Sequence, residues 1–363
     1  MKVAIIGLPN SGKTTIFNAL TKGKAEIAAY SPSLFPNIGV AKVPDSRLST
    51  LENIFHPKKT TPAEISYVDI AGLPKDFSSR GEIGGEFLNY LTTADALLQV
   101  VRVSEDGEIP HHEGSINPKR DIATMDLELA FPDLAIIERK LNKLEETLKG
   151  AKTSERGLYL KEQALLEKIK AALDEDIPIR QQNLHEEELK VLFNYQFLTA
   201  KPMLVILNIG EEQIPQASAF EDEIKSAYPQ FAIIALCGKL EMELSQLSNS
   251  EAKEFREAMR LTTSALAQVI DSSYHLLGLI SFFTTVSAQL KVWTIPSGTT
   301  APKAAGKVHT DMERGFIRAE VISYSDMEKC GNLAEARKRG LLRTEGKNYV
   351  VQDGDIITFL FHV

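Results

Sequence analysis

The stretch Gly7-Leu-Pro-Asn-Ser-Gly12-Lys13-Thr14 constrains this chain more than any other, because it fits G-x-x-x-x-G-K-[ST] in a particular setting. Ahead of it, Val3 to Ile6 is a short apolar run with β-branched residues, as in a strand buried on both faces. Behind it, Ile16, Phe17 and Leu20 repeat at helical spacing. Strand, glycine loop and helix in that order make an anion nest. The glycines let consecutive N–H groups turn inward, and the helix N-terminus adds partial positive charge. Asn10, Ser11, Gly12, Lys13, Thr14 and Thr15 are therefore candidate phosphate ligands, with Lys13 reaching the outer phosphates and the Thr14 hydroxyl on Mg²⁺. A chance glycine loop is the rival reading, and eight matching positions in this context argue against it.

At 363 residues the chain exceeds one ordinary core, so two or three domains are expected. With 43% hydrophobic and 25% charged residues it has a soluble globular composition, and no apolar stretch reaches membrane-spanning length. The two cysteines, Cys237 and Cys330, imply no disulfide framework and suit a reducing cytosol. A net charge of −8 argues against wholesale coating of nucleic acid. A cytoplasmic protein with no membrane partner and no DNA specificity is the expectation.

Along the chain, residues 25–38 have little periodicity and read as a mobile loop, and Gly39 to Val43 alternates like a strand. Asp45 to Phe55 carries Leu48, Leu51 and Ile54 on one helical face. Glu64 to Leu73 reads as a second buried strand ending in Asp69-x-Ala-Gly72, where an Asp beside a phosphate loop is placed to hold Mg²⁺ through water. Residues 75–85 are glycine-rich and polar, Phe87 to Thr93 is helical, and Ala96 to Val103 is a third buried strand. Strands alternating with helices at this spacing indicate a doubly wound α/β domain, with ligand loops at the carboxyl ends of the strands.

Leu134, Ile137, Leu141, Leu144 and Leu148 then form a heptad seam, and Leu158, Leu165, Ile169 and Leu173 start a second amphipathic helix after the 150–154 turn. An antiparallel helical pair is predicted, either a solvated hairpin or a binding arm. Buried-strand pattern returns at Lys201–Asn208 and Phe231–Leu236, which makes the helices an insertion, and Glu251 to Ser272 reads as one long amphipathic helix. From Leu276 onward short strands are expected at 290–295, 316–323, 349–351 and 356–361. This part holds eleven Lys/Arg against nine Asp/Glu, with Arg337-Lys-Arg339 its densest cationic run. Such a run is usually a solvated helix face, and a small β module with a basic edge is also a candidate RNA contact.

With these motifs in place, the chain resembles the YchF/Obg-like ATPase family from Met1 to Val363. The resemblance rests on Gly-Leu-Pro-Asn-x-Gly-Lys at 7–13, Pro36-Asn37-x-Gly39, Val68-Asp-Ile-Ala-Gly-Leu73, His111-x-Glu-Gly-Ser115 and Asn208-x-x-Glu211. It continues through Gly315-Phe-Ile-Arg-Ala-Glu-Val321 and Gly346-Lys-x-Tyr-Val-Val-Gln-Asp-Gly-Asp355, which look like the TGS domain, a small β-grasp module. The resemblance implies a Ras-like P-loop NTPase domain at 1–127 and 201–275, an inserted helical arm at 128–200 and a TGS domain at 276–363. It also implies ATP hydrolysis in preference to GTP, Mg²⁺ dependence and association with ribosomes, with the TGS domain or the arm as candidate RNA contacts.

The base site can also be argued physically. GTPases use Asn-Lys-x-Asp, whose Asp accepts two guanine N–H donors; here the block reads Asn208-Ile209-Gly210-Glu211. Glu displaces the carboxylate by one methylene and Ile209 offers only an apolar surface, so guanine loses its matched acceptors. Asn208 can still serve adenine's amino group, and Cys237-Gly238-Lys239 stands in the place of a second base-side loop. ATP is favoured, with GTP left open because Asn208 is retained.

Ras-like enzymes place a water-positioning Gln just after Asp-x-x-Gly, where this chain has Leu73, which cannot orient water. His111, at the position matching the family's His, is the candidate catalytic substitute, with His112 beside it; a solvated loop histidine is the plain alternative. Ser33 falls where family members commonly carry a metal-closing Thr. The switch set is then Asp69, Gly72 and Leu73, and the metal set Thr14, Ser33 and Asp69. A Mg²⁺-dependent ATPase acting as a conformational switch is the leading reading. Its rivals are a GTPase with the same switch and a ribosome- or RNA-binding adaptor whose nucleotide is mainly structural.

Overall fold

The computed structural model describes residues 1–23, 25, 36–70, 85–105, 110–111, 113–259, 261, 264–286 and 288–362, with the backbone alone at 85–87, 153 and 249. Strands run β1 (Lys2–Ile6), β2 (Asn37–Lys42), β3 (Lys59–Thr61), β4 (Glu64–Asp69), β5 (Ala96–Arg102), β6 (Met203–Asn208) and β7 (Ala232–Leu236). They continue with β8 (Leu279–Val286), β9 (Gln289–Pro296), β10 (Phe316–Ser323), β11 (Arg343–Glu345) and β12 (Asp355–Phe361). The described residues form two compact units, 1–39 with 66–266 and 40–65 with 267–363.

The first unit holds a six-stranded sheet in the order β2-β4-β1-β5-β6-β7, in which β4, β1, β5, β6 and β7 pair in parallel. Every residue of β5 is buried, as expected of a central strand covered on both faces. The chain order reverses beside β1, so its carboxyl end opens a crevice, the ordinary ligand position of such a sheet. The helix α1 (Lys13–Thr21) leaves from that point. Around the sheet stand α3 (Gly85–Thr92), α7 (Ala217–Ala227), α8 (Gly238–Ser245) and α9 (Asn249–Ala258). The α/β class read from the strand–helix alternation is thus the class observed.

Between β5 and β6 come α4 (Pro118–Gly150), α5 (Thr153–Asp174) and α6 (Glu186–Leu192). Asn117 caps α4 by accepting from the Arg120 N–H at 3.1 Å, and Pro118 sits where a missing N–H costs nothing. The seam forms as patterned: Ile137, Leu144, Leu165, Leu166, Ile169 and Leu173 are buried together, with Leu134 and Leu141 partly covered. Leu158 is a correction. It is 69% exposed, because the neighbouring Tyr159 takes the seam-facing position and leaves Leu158 on the solvent side.

Asp133 fastens this insertion to the chain returning from it. Its carboxylate, fully buried, accepts from Leu198 N (2.8 Å), Thr199 N (2.8 Å) and Thr199 Oγ1 (2.7 Å). Burial still pushes its pKa up to about 6, against the pull of those donors. Asp133→Ala would strand two backbone N–H groups out of water, so a loss of about 3 kcal/mol is expected; urea unfolding that shifts by less than a third of this would refute it.

In the second unit the sheet order is β11-β10-β12-β8-β9-β3. The β8–β9 hairpin is antiparallel, β12 runs parallel to β8, and β10 runs antiparallel to β12. The helix α11 (Ala301–Val308) covers one face through Ala301, Ala304 and Ala305, packed with Phe282, Phe316, Ala319 and Phe359. Residues 40–65, placed by sequence in the nucleotide-binding domain, fold here. They carry α2 (Arg47–Phe55), and β3 pairs in parallel with β9. Arg47 anchors them, donating from Nη1 to Asp353 at 2.7 Å and lying 5.1 Å from the Phe283 ring centre.

Three sequence expectations change. The single helix from Glu251 to Ser272 is two, α9 and α10 (Ala265–Leu276), so a continuous apolar period did not require a continuous helix. Residues 349–351 form no strand; Val350 makes only an isolated bridge to Thr300. Short helices α12 (Thr310–Arg314), α13 (Tyr324–Cys330) and α14 (Leu333–Lys338), which carry one or two turns each, lie between strands where sequence gave no clear period. Both cysteines are free and buried, and among the described residues no helix is long and apolar enough to cross a membrane.

Candidate functional site

The loop after β1 takes the conformation its glycines permit. Gly12 has φ 95° and Asn10 φ 62°, both left-handed. A Cβ on Gly12 would collide with the Asn208 side chain, and one on Gly7 with the Val100 carbonyl. Only glycine lets the loop lie this close to β5 and β6.

Inside the loop, Lys13 is 7% exposed and donates to the carbonyls of Gly7 (3.1 Å) and Leu8 (2.9 Å). Burial lowers its pKa to about 8, with Asp69 pulling the other way. Thr14 Oγ1 donates to Asp69 Oδ2 at 2.8 Å, and Asn37 Nδ2 reaches the same oxygen at 3.3 Å. Asp69 Oδ1 is buried and has no hydrogen-bond partner among the described residues. A buried, anionic and unsatisfied oxygen beside a threonine hydroxyl suits a hard divalent cation, so Thr14 and Asp69 fit Mg²⁺. Ser11 is buried with its hydroxyl equally unsatisfied among the described residues, while Thr15 follows Thr14 into the first turn of α1.

Asn208, at the end of β6, has a job that its sequence position did not reveal. Its Nδ2 donates to the Ser11 carbonyl at 3.0 Å and its Oδ1 accepts from Gly238 N at 3.1 Å. One side chain therefore braces the phosphate loop against the start of α8. At Gly238 a Cβ would meet Ile16 Cδ1 at 2.8 Å and Asn208 Oδ1 at 3.0 Å, so a larger residue there would have to shift both side chains. Ile209 and Cys237 are 3% and 6% exposed and belong to the unit's core, whereas Glu211 is exposed at the head of a 3₁₀ turn. Burial raises the Cys237 thiol's pKa.

His111 is not solvated. Its side chain is 8% exposed, with Nε2 2.9 Å from Asp121 Oδ2 and Nδ1 accepting from Glu113 N at 3.1 Å. Since Nδ1 accepts, the proton sits on Nε2 and points at the carboxylate. Its hydrogen-bond partners among the described residues, Asp121 and Glu113, lie outside the phosphate loop.

The relationship to known proteins follows the same outline. A family model described as a 50S ribosome-binding GTPase matches residues 2–130, and a YchF-GTPase C-terminal model, described as a protein of unknown function, matches 279–362. A Bacillus subtilis (strain 168) protein named ribosome-binding ATPase YchF is 38% identical over 368 residues, covering 100% of both chains. The protein of that name from Escherichia coli O157:H7 is 38% identical over 365 residues, covering 100% of this chain and 99% of its own. The solved Schizosaccharomyces pombe YchF GTPase aligns with a TM-score of 0.87 at 33% identity, covering 99% of this chain and 97% of that one. This chain belongs to the YchF family.

Within this YchF chain, the structure gathers Lys13, Thr14, Asp69 and Asn208 around one loop, where the sequence had placed Asn208 at the base. Ser33, Gly72, Leu73 and His112 lie outside the described residues. Sequence reasoning passed over Asn37 as a partner of Asp69, and over Arg120 and Asp121 beside His111. Asn37 had a visible signal, the Pro-Asn pair closing the first loop. Asp121 had none, because an acidic residue in a first helical turn is ordinary helix chemistry.

Proposed function

We propose that the protein is a Mg²⁺-dependent ATPase working as a ribosome-associated switch in the cytoplasm. The observation that carries this is the cluster of buried Lys13 and Asp69 with half-buried Thr14, in which Thr14 bonds Asp69 Oδ2 while the buried Asp69 Oδ1 has no partner among the described residues. Backbone N–H groups of residues 10–15 and the Lys13 ammonium bind and orient the phosphates. Thr14 and Asp69, with Ser33, would hold Mg²⁺, which supplies charge neutralisation at the outer phosphates. His111 is assigned to orient the attacking water, because the hydrocarbon of Leu73 cannot. Slow intrinsic turnover is expected, rising when a partner orders the loops.

The names of the curated relatives support a ribosome partner and ATP, whereas the yeast structure and both family models carry the word GTPase. Asn208-Ile-Gly-Glu211 supports ATP: Glu211 is one methylene longer than the Asp whose carboxylate matches guanine's two N–H donors. Parallel titrations should find ATP bound more tightly with Mg²⁺ present, and a GTP affinity about tenfold better would reverse the assignment. RNA contacts fit the exposed Arg337-Lys-Arg339 run less well than its charge suggests, since Arg337 and Arg339 already pair with Glu320 (3.6 Å) and Glu335 (2.6 Å). The helical arm is the other candidate surface.

A further inference from the structure

We infer that Asp121 is a positioning residue that holds His111 out of service, so that release from Asp121 is a step before hydrolysis. This rests on the assignment of His111 to the attacking water. Both nitrogens of the imidazole are spent, one donating to Asp121 and one accepting from Glu113 N, and the ring is shielded. A histidine in that state has neither a lone pair nor a proton to offer a water molecule.

The holder is itself rigidly built. Asp121 is 3% exposed, and its other oxygen accepts from Arg120 Nε at 3.0 Å and Nη2 at 2.8 Å. Arg120 reaches onward to the Ser115 carbonyl at 2.6 Å and hydroxyl at 3.1 Å, tying the histidine's loop to the same helical turn. Beneath, Gln99 of the central strand donates to the Asp121 carbonyl at 3.4 Å. The carboxylate is thus fixed by its neighbours, while His111, among the described residues, is held by the two hydrogen bonds to Asp121 and Glu113 that its release would break.

Position in the fold gives the arrangement a use. Asp121 lies in the first turn of α4, a helix of 33 residues that continues into the arm. At ~1.5 Å per residue that helix is about 50 Å long. Whatever displaces the arm therefore acts on the element that carries the histidine's anchor.

Asp121→Asn keeps the size of the side chain but weakens a charge-assisted bond to a neutral one. Basal ATP turnover should rise by roughly threefold to tenfold with KM little changed, as the free histidine becomes more populated. In the His111→Ala background the same change should do nothing. A readout independent of activity is carbethoxylation of His111 by diethylpyrocarbonate, followed by mass spectrometry on the intact protein, which should speed up by a similar factor. Turnover that falls or stays level in Asp121→Asn, with His111 labelled no faster, overturns the inference. If His111→Ala alone leaves turnover intact, it is the assignment of His111 that fails, and the two failures are told apart.

Discussion

Lys13→Ala is expected to lower nucleotide affinity at least about hundredfold and to remove turnover, because two or more charge-assisted bonds to phosphate go at once in a buried site. The fold should survive. Among the described residues the Lys13 ammonium bonds to the Gly7 and Leu8 carbonyls of its own loop, and β1 and α1 hold their places through Val3, Ile5, Ile16 and Phe17 in the core. Isothermal titration with ATP, beside a thermal melt, separates the two effects. A variant that melts like the parent yet still binds ATP normally would sink the site assignment. If Lys13→Ala loses ribosome co-sedimentation only by unfolding, and the parent shows negligible turnover even with ribosomes, the adaptor reading prevails.

The same lysine predicts a pH dependence. Its pKa in the free protein is about 8, and phosphate bound beside it would raise that value. Below pH 8 the ammonium is already charged, so affinity should be flat. Above pH 8 a proton must be taken up on binding, so affinity should weaken as pH rises, by at most about tenfold per pH unit. Affinity that strengthens between pH 8 and 9 would show that another group controls the site.

The second large effect is at His111. His111→Ala should keep ATP affinity and cut turnover by roughly tenfold or more, the usual yield of a positioned proton-transfer group. Because the imidazole is docked on Asp121 in this arrangement, the loss should appear in kcat with KM preserved. Unchanged kcat would leave the docked ring as a structural tie between the loop and α4, which its burial alone would also explain.

Much of the fold was legible because its signals are local. Each parallel strand is a short β-branched run bounded by a turn, and the helical arm is a heptad; both patterns survive without knowledge of partners. The C-terminal sheet was harder. Its order depends on pairings such as β12 with β8 and β3 with β9, separated by long stretches of chain, and nothing in three residues Lys59–Thr61 announces a distant partner. The break between α9 and α10 escaped for a related reason, as apolar spacing continues across it.

By itself the sequence determined the phosphate loop. An eight-residue motif running from the end of a strand into the first turn of a helix leaves one sensible geometry, since the glycines, the lysine and the helix start act together there. Tertiary structure decided the uses of residues whose partners lie far along the chain. Asn208 looked like a base ligand and also proves to be a brace, since its two amide ends reach Ser11 and Gly238. Ile209 and Cys237 looked like base-side residues and are core. His111 looked like a loop histidine and is buried on a carboxylate. In each case the side chain's chemistry was readable from its type, but the atoms it meets are set by packing: of the sheet strands around Asn208, Ile209 and Cys237, and of the loop against the start of α4 for His111.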